Sequence, residues 1–239
     1  MCGGNDPSAL EVLTVAEPMD TVQADFDRIA LLPGDPWDHN AHYHRFLLGH
    51  VPPGCQEALD IGCGTGAFAC LLAERSGHML ALDLSPRMIE VARERSRPYP
   101  NLTFQVADVT RWEFPVERFD CIASIATLHH LPLDSTLFKI RGAVRPGGTL
   151  IALDLFKARG WADLLSGAAA FPVGLLWEAV RNCRLRPPGA VRQAWAEHGK
   201  NDVYVTLPQV RRACEHTLPG VQVRKHLLWR YSLVWTKAP

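Results

Sequence analysis

The hydrophobic and polar positions of the chain change period several times, and each change predicts an element. Short apolar runs at 57–61, 78–83, 102–107, 119–125 and 148–154 read as strands, with helix-period stretches at 67–75, 86–97 and 134–144 between them. That alternation is the rhythm of a parallel sheet joined by crossover helices. The punctuation agrees: Ser85 suits an N-cap with Pro86 in the first turn, and Arg145-Pro146-Gly147-Gly148 stops a helix and turns the chain.

The flanks are patterned differently. Residues 1 to about 20 show no period and predict a mobile or loosely packed leader, with a possible short helix over 20–32. Leu32-Pro33-Gly34-Asp35-Pro36 then breaks the chain, and 37–50 read as a helix on which Tyr43, Phe46 and Leu47 share an apolar face. Beyond Asp154, stretches at 160–180 and 189–198 look helical and predict a cap inserted at about 156–205 over the carboxyl edge of the sheet. A helix at 207–218 follows, then runs at 221–228 and 231–236 that close the sheet as an antiparallel hairpin. The organisation expected is one α/β domain over 37–239 with a partly flexible leader at 1–36.

Charge narrows the partners. Lysine plus arginine match aspartate plus glutamate at 25 each, so no global basic field exists to hold a nucleic-acid backbone. The seven cysteines include no CxxC pair, and with no signal-peptide pattern at the start they suggest reduced thiols and a cytoplasmic location. The most apolar run, 168–177, is broken by Pro172 and Gly174 and falls short of the ~20 residues a membrane span needs, so stable membrane insertion is not expected.

The chemistry concentrates where the first strand stops. In Asp60-Ile61-Gly62-Cys63-Gly64-Thr65-Gly66 the alternating glycines permit positive φ and close approach of the backbone to a ligand, and the following helix directs free N–H groups at the same spot. Asp83 lies 21 residues after Gly62, at the end of the next strand, where a carboxylate can accept from both hydroxyls of a ribose. The combination predicts a nucleoside-containing cofactor. A nicotinamide dinucleotide is the rival, since Gly62, Gly64 and Ala67 meet the permissive fingerprint, but the chain supplies no second βαβ half for it.

Residues 57–66 resemble the first motif of the class I S-adenosylmethionine-dependent methyltransferases. Leu82 to Met88 resemble their second-strand motif, Val106 to Val109 their adenine-contacting motif, Phe119 to Ser124 their fourth strand, and Arg141 to Leu150 the approach to their fifth. The resemblance implies a seven-stranded Rossmann-like sheet in the order 3-2-1-4-5-7-6, with the last strand antiparallel, helices on both faces and a helical cap. It implies S-adenosyl-L-methionine as cofactor and S-adenosyl-L-homocysteine as product. Gly62, Cys63, Gly64 and Gly66 would carry the methionine part, Asp60 the ammonium, and Asp83 the ribose. Leu84, Met88 and Val109 would enclose the adenine and Asp108 would take its amino group. Ser124 would line the same cleft, and Tyr43 or His44, on a lid helix, would reach the cofactor's carboxylate.

Methyl transfer from a sulfonium is an in-line displacement, and a base is needed only if the acceptor loses a proton. His129, His130 and His198 are the candidates, with hydrogen bonding to the cofactor or helix capping as their alternative roles. His39, His42 and His44 do not share one helix face and lack a carboxylate or cysteine to complete a ligand set, so no metal is expected. Trp161, Leu164, Leu165, Phe171, Leu175, Leu176 and Trp177 would form an apolar acceptor pocket in the cap, or a homodimer interface. No Asn-Pro-Pro-Tyr type motif follows the fourth strand, where the chain reads Ser124-Ile125-Ala126-Thr127. The expectation is therefore transfer to oxygen, carbon or sulfur of a small, largely hydrophobic molecule. A non-catalytic binding partner of the same fold is the alternative.

Overall fold

The computed structural model describes residues 18–34, 38–159, 161–184 and 186–239, without the side chains of 162–169 and 171. Strands β1 (Glu57–Ile61), β2 (His78–Asp83), β3 (Leu102–Val106), β4 (Phe119–Ile125), β5 (Val144–Leu155), β6 (Gln222–Lys225) and β7 (Arg230–Thr236) form one sheet in the order β3-β2-β1-β4-β5-β7-β6. The first five are mutually parallel, and β7 runs antiparallel to both of its neighbours. This is the sheet order and direction the sequence motifs implied.

Helices are α1 (Met19–Ala30), α2 (His44–Leu48), α3 (Ala67–Ala73), α4 (Pro86–Arg95), α5 (Leu133–Ala143), α6 (Trp161–Asn182), α7 (Gly189–His198) and α8 (Leu207–Thr217). Because strand side chains alternate, the two faces of the sheet bury different sets. One face sets Leu59, Ile61, Ile122 and Leu150 against Leu137 and Ile140 of α5 and Val210 and Cys214 of α8. The other presents small residues, Ala58, Ala81, Cys121 and Ala123, to Leu47, Phe68, Leu72 and Ile89 of α2, α3 and α4. Small side chains on that face let the cofactor-side helices pack closely on the sheet.

The segment read as a loose leader divides at Pro18. Residues 1–17 lie outside the described residues, but α1 is docked on α4 and α7, burying Val22 and Ile29. The expected lid helix is shorter than its pattern, a 3₁₀ turn at Ala41–Tyr43 running into the five residues of α2. In the cap, α6 runs through Pro172, and Trp161 and Leu176 are 82% and 63% exposed, so neither lines an inner pocket. Leu164, Leu165 and Phe171 have no described side chains. Among the described residues no helix is long and apolar enough to cross a membrane.

Candidate functional site

Two groups of residues gather along the carboxyl edge of the sheet, on either side of β1. The first is the glycine loop and its acids. Gly62, Gly64 and Gly66 have φ of 71°, 52° and 79°. A Cβ on Gly62 would collide with the side chain of Thr127, while one on Gly64 would meet nothing within 4 Å, so packing demands the first glycine and the second leaves an open face; the amides of Gly62, Cys63, Gly64 and Gly66 are themselves spent on Leu82 O, Asp83 and Cys63 O. Asp83 braces this loop: its Oδ2 accepts from Gly64 N at 2.7 Å and its Oδ1 from Ser85 N at 2.9 Å. Each oxygen keeps a further lone pair for an incoming donor.

Asp60 is 2% exposed and its Oδ1 has no hydrogen-bond partner. Burial, and secondarily the charge of Asp83, pushes Asp60 up to about 7, and burial raises Asp83 to about 6 against the pull of the Ser85 and Gly64 amides. Such a pair of buried acids is incomplete without a cation. The Cys63 thiol, buried under the loop, is held well above its ordinary range by desolvation and then by Asp83. His44 lies against Phe68 of α3, ring centroids 5.1 Å apart, beside the same loop. Asp108 Oδ1 accepts from the amide and the hydroxyl of Thr110 at 2.8 and 2.7 Å. Leu84 is half-buried, and Val109 sits in the α5-side core with Leu82.

Three expected cofactor residues are placed otherwise. Ser124 is wholly buried, and its hydroxyl donates to Ile61 O at 3.1 Å, tying β4 to β1 inside the sheet rather than facing the cleft. The Tyr43 hydroxyl donates to Leu227 O at 2.8 Å, so it fastens the 3₁₀ turn to the approach of β7. Met88 packs with Ile29 and Ala194, beneath α1.

The second group follows β4 and β5. The 3₁₀ turn Leu128–His130 brings His129 onto Asp154, which is fully buried near the end of β5. Asp154 Oδ2 accepts from His129 N at 2.8 Å, and Oδ1 from Leu155 N at 2.7 Å and from His129 Nδ1 at 2.6 Å. This pins the tautomer with Nδ1 protonated and leaves Nε2 as the basic nitrogen. Burial alone would lower the imidazole, but the Asp154 carboxylate more than offsets it, and His129 lies above its ordinary value.

His130 behaves oppositely: burial, then the neighbouring His129 and His198, lower it to about 3 despite Asp202. Its Nδ1 stands 3.5 Å from Asp202 Oδ1, and His198 Nε2 stands 3.6 Å from the same oxygen. Neither His130 Nε2 nor Asp202 Oδ1 has a hydrogen-bond partner, while Asp202 Oδ2 accepts from Tyr204. His198 also meets Asp25 of α1 at 3.2 Å and packs edge-on to Phe26. The metal-ligand types brought together are thus not His39, His42 and His44 but His129, His130 and Asp202, with one ligand atom of each within 4.8 Å of the others.

Comparison with known proteins places this geometry. Residues 58–148 match a family profile described as a methyltransferase domain. An uncharacterized methyltransferase of Mycobacterium tuberculosis is 32% identical over 208 residues, covering 85% of this chain and 98% of its own. The chain belongs to the class I S-adenosylmethionine-dependent methyltransferases. Phosphoethanolamine N-methyltransferase 1 of Zea mays is 39% identical over 114 residues, which is 46% of this chain and 23% of the maize protein. Among solved structures, the N-methyltransferase NodS of Bradyrhizobium japonicum, in complex with S-adenosyl-L-homocysteine, shares the fold at 18% identity and a TM-score of 0.61, with 91% and 98% of the two chains covered.

A methyltransferase of this class uses S-adenosylmethionine, and the first group of residues fits it. The orphaned Asp60 Oδ1 suits an ammonium, the spare lone pairs of Asp83 suit a ribose diol, and the open face at Gly64 admits the amino-acid tail. Sequence reading missed Asp154, Asp202, Tyr204 and Arg230. For Asp154 a signal was present, an acid at the carboxyl end of an otherwise apolar strand. For the others only the fold reveals the meeting.

Proposed function

We propose that this methyltransferase moves the methyl group to an oxygen, carbon or sulfur atom of a small, largely apolar molecule, with His129 as the base that accepts the acceptor's proton. The observation that carries this is the His129–Asp154 pair, a buried carboxylate fixing one ring nitrogen so that the other stays free to take a proton. Bound S-adenosylmethionine supplies an electrophilic methyl on a sulfonium. The chain's own residues then do three things. Asp60, Asp83 and Asp108, beside the open backbone of the glycine loop, hold the donor in one orientation at the ends of β1, β2 and β3. His129 Nε2 takes the proton as the acceptor atom attacks, and Asp154 stabilises the imidazolium so formed. The buried rings of His130 and His198, packed on Phe26 and beside His129, keep water from that side of the base.

The relatives named for transfer to nitrogen make the atom class a matter for direct test. Purified protein is first titrated with S-adenosylhomocysteine by calorimetry, then incubated with S-adenosylmethionine and hydroxyl, thiol, carbon-acid and amine acceptors, with S-adenosylhomocysteine release and product mass followed. Methylation within the first three classes is expected. A panel in which only amines react would overturn the atom class, and binding of the product without turnover anywhere would favour a non-catalytic partner.

A further inference from the structure

Arg230 opens β7 opposite Leu155, the residue that follows Asp154 of the His129–Asp154 pair on the same edge of the sheet. It is 9% exposed, yet no carboxylate of the described residues pairs with it. Its Nε donates to Asn40 Oδ1 at 2.8 Å and its Nη1 to Leu228 O at 3.0 Å, leaving Nη2 without a partner among the described residues. Asp154, the nearest candidate by its field, is spent on three shorter hydrogen bonds of its own. Buried guanidinium groups are ordinarily paired, and an unpaired one is costly to keep.

Its surroundings are those of the acceptor cleft. The charge of Arg230 is felt by His39, Tyr43, His129 and Tyr204 together, groups contributed by three separate segments. The turn that delivers it is also unusual. Leu227 to Arg230 makes a tight hairpin in which Leu228 and Trp229 both have positive φ, 57° and 55°, where Asn-Gly would be at ease. That strained turn aims the Leu228 carbonyl at Nη1, while Tyr43 and Asn40 clamp the turn and the guanidinium from the lid side.

We propose that Arg230 is an anion anchor in the acceptor site, so that the molecule methylated here carries an oxyanion, carboxylate or phosphate, apart from its reacting atom. This rests on the methyltransferase reading above and deepens it: the acceptor is an acid with an apolar body, its charged end on the free guanidinium edge and its reacting atom at His129. A guanidinium held in place through Nε and Nη1, with the Nη2 hydrogens left to donate, is suited to such a group.

The test uses the full chain saturated with S-adenosylhomocysteine and titrates it by calorimetry with hexanoate, hexyl phosphate, hexanamide and hexanol. One of the two acids is expected to bind at least roughly tenfold more tightly than the neutral probes, the scale of one charge-assisted hydrogen bond, and which acid wins distinguishes carboxylate from phosphate. Arg230→Gln should erase that preference while leaving affinity for S-adenosylhomocysteine within about twofold. Should Arg230→Gln not fold, Arg230→Lys carries the comparison, with the acid weakened more than the neutral probes because the fork is lost. Neutral probes that match both acids in the unaltered protein overturn the proposal, as does an acid preference that survives substitution. Failure to bind S-adenosylhomocysteine at all would instead sink the underlying reading.

Discussion

The two ends of the cleft are made in different ways. At the donor end, Asp60, the glycine loop and Asp83 sit on two adjacent parallel strands, within 24 consecutive residues, and are acidic and raised by burial. At the acceptor end, His129, Asp154, Asp202 and Arg230 come from four segments spread over more than a hundred residues, and the charges there are mixed and mutually compensating. The donor end serves a ligand shared by the whole family, and local turn chemistry suffices to build it. The proposed acceptor end depends on long-range packing of the α6 to β7 region against the edge of β5.

The sharpest way to separate the two ends is to remove the base. His129→Ala should lower kcat by roughly 10²- to 10⁴-fold, the usual scale of general-base loss, with affinity for S-adenosylhomocysteine unchanged. Activity of the unaltered protein should rise with pH through a midpoint above 6.5, because the neutral imidazole is the active form and Asp154 raises its pKa. In Asp154→Asn that midpoint should fall, since the stabilising anion is gone. A His129→Ala variant that loses cofactor affinity and turnover together would show that the ends are not distinct.

The converse substitution works at the donor end. Asp83→Ala removes both the ribose acceptor and the brace on Gly64 N, and should weaken S-adenosylhomocysteine by roughly 10- to 100-fold in calorimetry. Turnover at saturating S-adenosylmethionine should fall far less than in His129→Ala.

The same asymmetry explains what could be read from the chain. The seven strands were legible from short runs punctuated by Ser85-Pro86 and Pro146-Gly147-Gly148, and their order from the resemblance to the methyltransferase motifs. That Asp60, Asp83 and the glycines gather at the ends of β1 and β2 was legible because turn chemistry and spacing are local. The bond of Ser124 to Ile61 O was not legible, because a strand residue's partner is set by the neighbouring strand and not by its own sequence. That of Tyr43 was not legible because its partner, Leu227, lies 184 residues away. Asp202 and Arg230 carried no motif at all: each is an ordinary charged residue in an irregular stretch until packing buries it.

Protonation offers a milder test of the donor end. Asp60 titrates at about 7 when the cleft holds no cation, and an ammonium beside it favours the ionised form, so binding releases a proton. Affinity for S-adenosylhomocysteine should therefore be flat above that value and weaken by up to about tenfold per pH unit below it. Asp60→Asn should bind more weakly at pH 8 but lose this slope. A slope that persists in Asp60→Asn would assign it to another group.

The smallest effects should come from α1, which touches both ends at once. Asp27 Oδ1 accepts from the Ser85 hydroxyl and from Arg87 N at 3.2 Å, at the start of α4 where a carboxylate also suits the helix dipole. Two residues earlier, Asp25 holds His198, and Phe26 lies edge-on to His130, His198 and Trp195. If the ends are energetically separate, Asp27→Ala should raise the dissociation constant of S-adenosylhomocysteine a few-fold and leave the acceptor KM alone, while Asp25→Ala should do the reverse. Each should cost about 1 kcal/mol of stability, a Tm drop of roughly 2–4 °C for a chain of this size. Both variants disturbing both ligands equally would mean that α1 moves as one strap across the cleft, and donor and acceptor sites would then be coupled through its docking.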